Sequence, residues 1–406
     1  MEPKIRFKGF EGEWRKAKLG DIATFSKGSG YSKSDLCKEG SPIVLYGRLY
    51  TKYQSIIDEI DTFVAPKANS VISTGGEVII PASGESPEDI SLAATIKNAG
   101  VIIGGDLNVL KFDYNNNNPA FMSMAITYSP TRSELSNYSQ GKTVVHLRNS
   151  EIAKGNVCFS RIEEQKAIVN YVLSLDSQIS ASTSRLASLK QMKAASLQAM
   201  FPQEGETVPK IRFKGFEGEW TWLKLGDISE QVKRKAPINS TAPVMMISAL
   251  NGFINQSEKY SDNNAGSSLA NYTLLKKGEL SYNHGYSKTR NFGSCFNLLV
   301  EEARIPFVYH SFRLTNDNDS FYAYYLNSGT KDKDLKRLVS STARMDGLLN
   351  ISFKNYMELS VPHPSLAEQQ AIASYFTSLD RQISLQSQRL EKLKQIKSAC
   401  LDKMFV

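Results

Sequence analysis

A twelve-residue segment occurs twice in this chain, and it limits the folds that the chain can adopt. Residues 3–14 and residues 209–220 both read PKIRFKGFEGEW, and Leu-Gly-Asp-Ile follows each copy at the same distance. Chance does not produce so many identities at one offset, so the chain contains an internal duplication. Its 406 residues therefore divide into two repeats, each long enough for one domain and a connecting segment.

A second duplicated block closes each repeat. The entry EQKAI at 164–168 corresponds to EQQAI at 368–372, and scattered identities continue to the end of each block. Residues 23–155 and 229–360, which lie between the shared blocks, show little similarity to each other. The pattern indicates a constant frame that carries two different inserts.

Both closing blocks place seam residues, most of them apolar, at alternating spacings of four and three, which is typical of a coiled coil. Neither block contains proline or glycine, so each can form one unbroken helix. Because only residues 202–208 connect the first helix to the second repeat, antiparallel pairing is favoured; two helices packed separately on their own domains are the alternative. The apolar seam positions are Ile168, Val172, Leu175, Ile179, Leu186 and Leu189 in the first block and Ile372, Phe376, Leu379, Ile383, Leu390 and Leu393 in the second.

The inserts mix short β-branched runs with turns and short helices. We predict an α+β fold in which two globular α/β domains are separated by a long antiparallel two-helix coiled coil, with a pseudo-twofold internal repeat. Strands are predicted at 71–73, 77–80, 101–103, 244–247, 280–282 and 307–312, and helices at 120–127, 320–327 and 332–339. The predicted boundaries are 1–160 for the first domain, 161–201 for its helix, 202–208 for a linker, 209–362 for the second domain and 363–406 for the second helix.

Composition narrows the class of function. A net charge of +8 suits a polyanionic partner. The four cysteines are more than a hundred residues apart, which argues against a disulfide framework and predicts a cytoplasmic location. No long uncharged apolar run predicts a membrane span, and the N-terminus Met-Glu-Pro-Lys lacks the apolar region of a signal peptide.

Known catalytic motifs do not fit this sequence. Gly141-Lys142-Thr143 resembles the end of a phosphate-binding loop, but the required first glycine is replaced by Ser136. The four histidines are scattered, so a metal site is not expected, and the motif with which amino-methylating enzymes hold a flipped base is absent. We therefore expect a chain without catalytic residues or a metal.

Four loops combine cations with aromatic and small polar side chains. They cover residues 46–53, 139–143, 282–290 and 340–346. Arginine and lysine contact phosphates and guanine edges, whereas asparagine and glutamine read adenine, so these loops are candidate DNA contacts. A solvated polar loop is the alternative in each case.

The whole chain resembles the specificity subunit of type I restriction–modification enzymes. The resemblance depends on the duplicated PKIRFKGFEGEW starts and on the Glu-Gln-x-x-Ile entries to the two helices. The family has proline before this entry, as at Pro362 and Pro364, where the first copy has Phe159 and Ser160. The resemblance implies that each insert is a target recognition domain that reads half of a split DNA sequence, and that the helices fix the gap between the halves.

The resemblance also implies the partners. These are double-stranded DNA, two methyltransferase subunits that bind S-adenosylmethionine, and restriction subunits that use ATP and Mg²⁺ for translocation and cleavage. On this view the chain itself binds no cofactor. The implied docking surfaces are the helix seams and the repeat starts around Trp14 and Trp220.

Family members place a DNA-facing loop before each helix, which corresponds here to residues 139–147 and 341–349. The first candidate contacts are therefore Lys142 and Arg344. The others are Arg48, Lys52, Lys288, Arg290, Gln140 and Asn283. Two further hypotheses compete with a non-catalytic recognition subunit: a stand-alone two-domain DNA-binding regulator, and a fused nuclease or methyltransferase.

Overall fold

The computed structural model describes residues 1–141, 144–237, 239–258, 269, 271–339 and 349–406. The chain divides into two compact units, Met1–Thr183 with Gln388–Val406, and Ser184–Ser387. Each unit combines a globular domain with segments of two long helices. None of the helices in the described ranges is both long enough and apolar enough to cross a membrane.

The first unit contains short strands, short helices and the start of one long helix. Its strands are β1 (Arg15–Lys18), β2 (Ala23–Lys27), β3 (Leu36–Cys37), β4 (Ser41–Val44), β5 (Ile56–Ile57), β6 (Phe63–Val64), β7 (Val78–Pro81), β8 (Ser83–Gly84), β9 (Ala94–Ile96), β10 (Ile102–Ile103), β11 (Leu107–Phe112), β12 (Val145–His146) and β13 (Asn156–Phe159). Its helices are α1 (Leu19–Ile22), α2 (Arg48–Thr51), α3 (Pro87–Ile90), α4 (Pro119–Tyr128), α5 (Pro130–Tyr138), α6 (Asn149–Ile152) and the first part of α7 (Ile162–Ala199), with a 3₁₀ turn at Lys33–Asp35.

The core of the first unit is a five-stranded sheet with the order β2-β11-β7-β9-β5. Strand β7 is buried along its whole length, because the apolar side chains on its two faces enter different clusters. Val78 and Ile80 pack with Phe121 of helix α4, whereas Ile79 packs with Val109 on the other face. A second sheet, β10-β4-β6-β3, and the ribbons β1-β13 and β8-β12 complete the domain.

The second unit repeats this plan with different loops. Its strands are β14 (Thr221–Lys224), β15 (Ser229–Gln231), β16 (Met245–Ser248), β17 (Gly252–Asn255), β18 (Thr273–Lys276), β19 (Leu280–Asn283), β20 (Ser294–Asn297), β21 (Glu302–Ile305), β22 (His310–Leu314) and β23 (Ser360–His363). Its helices are α8 (Asp319–Leu326), α9 (Asp332–Leu338), α10 (Phe353–Met357) and the first part of α11 (Leu366–Lys403), with 3₁₀ turns at Leu225–Ile228 and Gln256–Glu258.

The central strands of the two units correspond, although their sequences do not. The antiparallel set β2-β11-β7 recurs as β15-β22-β19. Ile80 lies opposite Asn108 in the first unit, and Tyr282 lies opposite His310 in the second, so both positions shift by 202 residues. Helices α4 and α8 then follow the set, and an asparagine side chain caps each N-terminus.

Helices α7 and α11 each contain 38 residues. In the first unit Lys397 Nζ lies 2.5 Å from Asp176 Oδ1, which brings the end of α11 to the start of α7. In the second unit Lys193 Nζ lies 2.5 Å from Asp380 Oδ1, which brings the end of α7 to the start of α11. The predicted antiparallel pairing is therefore confirmed within each unit.

Most of the predicted seam residues are buried. The exceptions, Ile179, Leu186 and Ile383, are half-buried. The buried positions are Ile168, Val172, Leu175, Leu189, Ile372, Phe376, Leu379, Leu390 and Leu393.

Two of the predicted strands are wrong in part, and the others are present with ends shifted by no more than one residue. Residues 307–309 form a turn that Tyr309 N closes on Pro306 O at 3.1 Å, so strand β22 begins only at His310. Residues 71–73 make only an isolated bridge through Ile72, because the following glycines adopt positive φ and turn the chain away.

Candidate nucleic-acid interface

Three chain segments meet at the carboxyl end of strand β19 in the second unit. His284 follows this strand, and its carbonyl oxygen accepts a hydrogen bond from Leu349 N at 2.8 Å. The imidazole of His284 places Nδ1 2.6 Å from Leu349 O and Nε2 2.9 Å from Val308 O. This one buried residue thus joins the loop after β19, the turn before β22 and the segment that begins at Leu349. We call this meeting point the junction of the second unit.

A stack of buried rings supports this junction. The rings of His284 and His310 are nearly parallel, with centroids 4.8 Å apart, and Tyr282 stacks on Tyr356 at 4.0 Å. His310 Nε2 lies 2.8 Å from Ile351 O, and burial lowers the pKa of this imidazole, which favours its neutral form with Nε2–H as the donor. Burial raises the pKa of Tyr356 well above its ordinary value, so its hydroxyl stays protonated. The loops therefore emerge from a rigid base.

The predicted loop at 282–290 lies at this junction, and its polar residues differ in exposure. Lys288 is exposed, at the tip of a turn in which Ser287 and Arg290 exchange backbone hydrogen bonds at 3.1 and 3.2 Å. The half-buried guanidinium of Arg290 donates to Asn327 O, and burial lowers its pKa. The Asn283 amide donates to Ile247 O at 3.3 Å and accepts from Gly285 N at 3.0 Å, so it shapes the loop.

The equivalent segments of the first unit also converge. Leu147 N donates to Ala82 O at 3.0 Å, and Ala82 N donates to Asp106 O at 2.7 Å. Tyr50, from the predicted loop at 46–53, donates its hydroxyl hydrogen to Ser83 O at 2.7 Å. The exposed residue Gln140 pairs through its backbone with His146, next to the same junction. Two loops that are about ninety residues apart in sequence thus meet beside one strand end.

Arg48 and Lys52 belong to this side of the first unit, and both have partners within it. Arg48 is nearly buried and donates to Asp61 Oδ1 at 2.6 Å, to Gln54 Oε1 at 3.0 Å and to Glu59 O at 2.6 Å. Lys52 Nζ lies 2.6 Å from Asp61 Oδ2 but is more than half exposed. Hydrogen bonds from these two cations lower the pKa of Asp61 to about 2. Of the two, Lys52 is the side chain with surface available for a partner.

Lys142 and Arg344 lie outside the described residues. The described segments nearest to them along the chain are those around Gln140 and Leu349, and both belong to the junctions.

Two buried glutamates at the start of the central strands were not among the predicted residues. Glu77 accepts hydrogen bonds from Thr74 N at 2.8 Å and Gly75 N at 3.1 Å. Burial would raise the pKa of Glu77, but the hydrogen bonds from Ser73 and Thr74 outweigh burial and lower it to about 2.

Glu279 occupies the equivalent place in the second unit, where it accepts from Lys276 N at 2.8 Å and from Arg234 at 2.6 Å. The signal for both glutamates is a Gly-Glu pair before an apolar residue, at 76–78 and 278–280. Both glycines have positive φ, so the pair marks the turn that begins the strand.

The duplicated start anchors each long helix to its own domain. In the first unit Arg6 donates from Nε and Nη2 to the two oxygens of buried Glu164, at 2.7 and 2.8 Å. In the second unit Arg212 binds buried Glu368 in the same way, at 2.6 and 2.7 Å. Each guanidinium also donates to two carbonyls of the Gly-Phe-Glu-Gly turn, which explains why the whole motif recurs.

The glutamine of each Glu-Gln entry fixes the helix to the adjacent domain. Gln165 accepts from Asn118 N at 2.7 Å and donates to Ser160 O at 2.7 Å. Gln369 accepts from Asn318 N at 2.9 Å and donates to Pro364 O at 3.0 Å. The same contacts form although serine replaces the family's proline in the first copy, so the Ser160 departure leaves the helix entry intact.

Comparison with known proteins identifies the family. The family model described as the type I restriction modification DNA specificity domain matches twice, over residues 11–191 and 217–395. The chain belongs to this family. Its role is recognition of a DNA sequence within a type I restriction–modification system. The two matches also confirm the internal repeat.

A solved structure has the same fold. The S subunit of a type I restriction-modification system from M. genitalium matches with a TM-score of 0.59 and 16% identity, over 100% of this chain and 99% of that one. The HsdS subunit from Thermoanaerobacter tengcongensis matches with a TM-score of 0.49 and 16% identity, over 97% and 96%. At this identity the similarity concerns the fold, and the residues that read DNA have to be inferred from this chain.

Proposed function

We propose that this chain recognises a bipartite DNA target, with one half-site read by each unit, and that it holds methyltransferase subunits on that target. The observation that carries the proposal is the pair of equivalent junctions, around Ala82 and His284. The supporting framework is the same in both units, whereas the side chains displayed there differ. Two different surfaces on one framework are suited to reading two different sequences.

The recognition domains in this proposal cover residues 1–160 and 209–362, and helices α7 and α11 set the gap between the half-sites. A helix of 38 residues is about 57 Å long at 1.5 Å per residue. Successive base pairs rise about 3.4 Å along DNA, so a helix of this length spans about 17 base pairs, which is between one and two turns of the double helix.

The repeat starts support binding of the same partner at both units. Trp14 and Trp220 are buried and anchor the motif, whereas Lys8, Lys214 and the glutamates of the adjoining turn are exposed. The fold requires the arginine, the glycines and the tryptophan, but it does not require identical exposed charges. Identity at exposed positions is expected if each start contacts one of two identical methyltransferase subunits.

The chemistry of the system then belongs to the partners. We propose that S-adenosylmethionine, ATP and Mg²⁺ bind the methyltransferase and restriction subunits, and that this chain is a cytoplasmic, non-catalytic component. A stand-alone DNA-binding regulator is not favoured, because the family is that of a specificity domain of restriction–modification systems.

Co-expression with the cognate methyltransferase subunit tests the proposal. The complex should co-purify, and sequencing of methylated bases in the host DNA should reveal one split target. Neither component should produce this pattern by itself. Specific DNA binding by the chain alone, without methylation in the complex, would instead support the regulator. As a partner-docking variant, Lys8→Glu with Lys214→Glu should weaken co-purification, whereas Lys277→Glu, at an exposed lysine of the second unit, should not.

A further inference from the structure

Two exposed aromatic side chains lie on adjoining loops at the junction of the second unit. Tyr286 is 61% exposed and follows His284 by two residues, and Phe307 is 56% exposed and precedes Val308. Because His284 Nε2 lies 2.9 Å from Val308 O, the two loops are held together at this point. Large apolar side chains that are exposed on adjoining loops are typical of a contact surface.

The first unit has no side chain at either equivalent position. The shift of 202 residues, fixed by the strand registers, makes Gly84 the counterpart of Tyr286 and Gly105 the counterpart of Phe307. A Cβ atom on Gly84 would lie 2.4 Å from Ile90 Cγ2, so no side chain fits there. The aromatic pair is therefore a feature of one unit alone, as expected for a residue pair that determines specificity.

The charges around the aromatic pair favour DNA as the occupant. Residues 282–298 contain Lys288 and Arg290 and no carboxylate, and residues 306–312 and 349–353 contain neither acids nor lysine or arginine. The corresponding part of the first unit contains several acids, including Glu85 and Asp106. Arg290 is half-buried and interacts with Asp332, so Lys288 is the exposed cation of this loop, and it allows a phosphate contact beside apolar side chains that can contact bases.

We propose that Tyr286 and Phe307 determine specificity in the second half-site by apolar contact with thymine methyl groups. Among the groups that bases present in the major groove, the thymine C5-methyl is the apolar one. Side chains that lack any group able to make a bidentate hydrogen bond with a base can read it by shape and burial. This proposal rests on the proposed function, since it requires that the second unit reads a half-site.

Uracil substitution tests the proposal, because uracil pairs as thymine does and lacks only the methyl group. The protein is the complex of the full chain with its methyltransferase subunits, and the probe is the duplex that methylation sequencing identifies. Each thymine of the second half-site is replaced in turn, and affinity is measured for the wild type and for the Tyr286→Ala/Phe307→Ala variant. Leu299→Ala is the matched control: Leu299 is 75% exposed and lies beyond Asn297, which pairs with Leu280 at the opposite end of strand β19.

In the wild type, replacement of at least one thymine should lower affinity about four-fold, which corresponds to one buried methyl group. The double-alanine variant should bind the unmodified target more weakly and should not respond to that replacement, whereas Leu299→Ala should behave as the wild type. Unchanged hydrogen-exchange protection of strands β19 and β22 shows that the second unit of the variant is folded.

Equal responses of the wild type and the double-alanine variant to every uracil would overturn the proposal and leave the proposed function intact. A wild-type complex that recognises no bipartite sequence would overturn both.

Discussion

Removal of the arginine that binds the buried glutamate should have unequal effects in the two units. Glu164 and Glu368 are both buried, and Arg6 and Arg212 bind them with nearly the same geometry. The difference lies in the tryptophan of the motif. Trp220 Nε1 donates to Glu368 Oε2 at 3.1 Å, whereas Trp14 Nε1 is buried and has no hydrogen-bond partner in the described part of the chain.

The magnitudes follow from what each glutamate retains. Arg6→Ala leaves the buried Glu164 carboxylate without its cation, which costs about 3–5 kcal/mol of the unit's stability. After Arg212→Ala, Glu368 still accepts the hydrogen bond of Trp220, and such a bond to a charged group contributes roughly 1.5–3 kcal/mol. A buried carboxylate that keeps one donor is less costly than one that keeps none, so the second substitution should be less destabilising than the first.

Hydrogen exchange measures the two effects in one molecule. In Arg6→Ala the amides at the start of α7, from Ile168 to Leu175, should lose protection, and in Arg212→Ala those from Ile372 to Leu379 should lose less. Lys224→Ala is the control, because Lys224 and its partner Glu358 are both exposed and such pairs contribute little to stability. Equal losses at the two helices would refute the role assigned to Trp220, and unchanged protection in both would refute the anchor itself.

Three further predictions concern pH, spacing and charge. The pKa of Glu77 is about 2 in the folded chain and higher in the unfolded chain, so this carboxylate stabilises the fold fully above its unfolded pKa, and the stabilisation is lost as the pH falls toward 2. Acid unfolding of Glu77→Gln should therefore depend less on pH than that of the wild type. Deletion of residues 183–189 and 384–390 shortens both helices by about 10 Å, so methylation sequencing should show a gap shorter by about three base pairs, and an unchanged gap would exclude the helices as the spacer. Lys288→Ala should weaken DNA binding and reduce the slope of log affinity against log salt by about one, whereas Lys277→Ala, at the other end of strand β19, should leave the slope unchanged.

The frame could be predicted from the sequence because it repeats. Identity over twelve residues and matched heptad registers are signals that need no knowledge of the fold, and they predict the repeat and the helices. The antiparallel direction follows from the short linker at 202–208. The equivalence of the two inserts could not be found in this way. Strands β7 and β19 share little beyond a Gly-Glu start, because burial on both faces requires apolar residues without specifying which ones.

The loop residues were harder to predict, for a physical reason. Arg48 and Lys288 look alike in sequence, as cations between aromatic and polar neighbours. In the structure Arg48 is surrounded by acceptors from residues 54–61, whereas Lys288 lies exposed on a turn. A cation faces a carboxylate or the solvent depending on which later segment of the chain packs beside it. The residues around the cation in the sequence do not determine that packing. Of the aromatic pair, Tyr286 lies in the predicted loop at 282–290, whereas Phe307 falls in the predicted strand at 307–312, where it would be expected to be buried.

The two units hold their loops together with different residues at the ends of the equivalent strands β7 and β19. At the end of the central strand the first unit has Ala82, and its junction is closed by backbone hydrogen bonds together with the side chain of Asn108, which donates to Leu147 O at 2.8 Å. The second unit has His284, whose ring reaches two carbonyls that a methyl group cannot. In the second unit the imidazole thus adds to the backbone hydrogen bond from Leu349 N to His284 O, and the loop carries Tyr286 where the first unit has Gly84 packed against Ile90. Because the same strands and helices accept either alanine or histidine at this position, the loop surface can change while the strands and helices that support it stay the same.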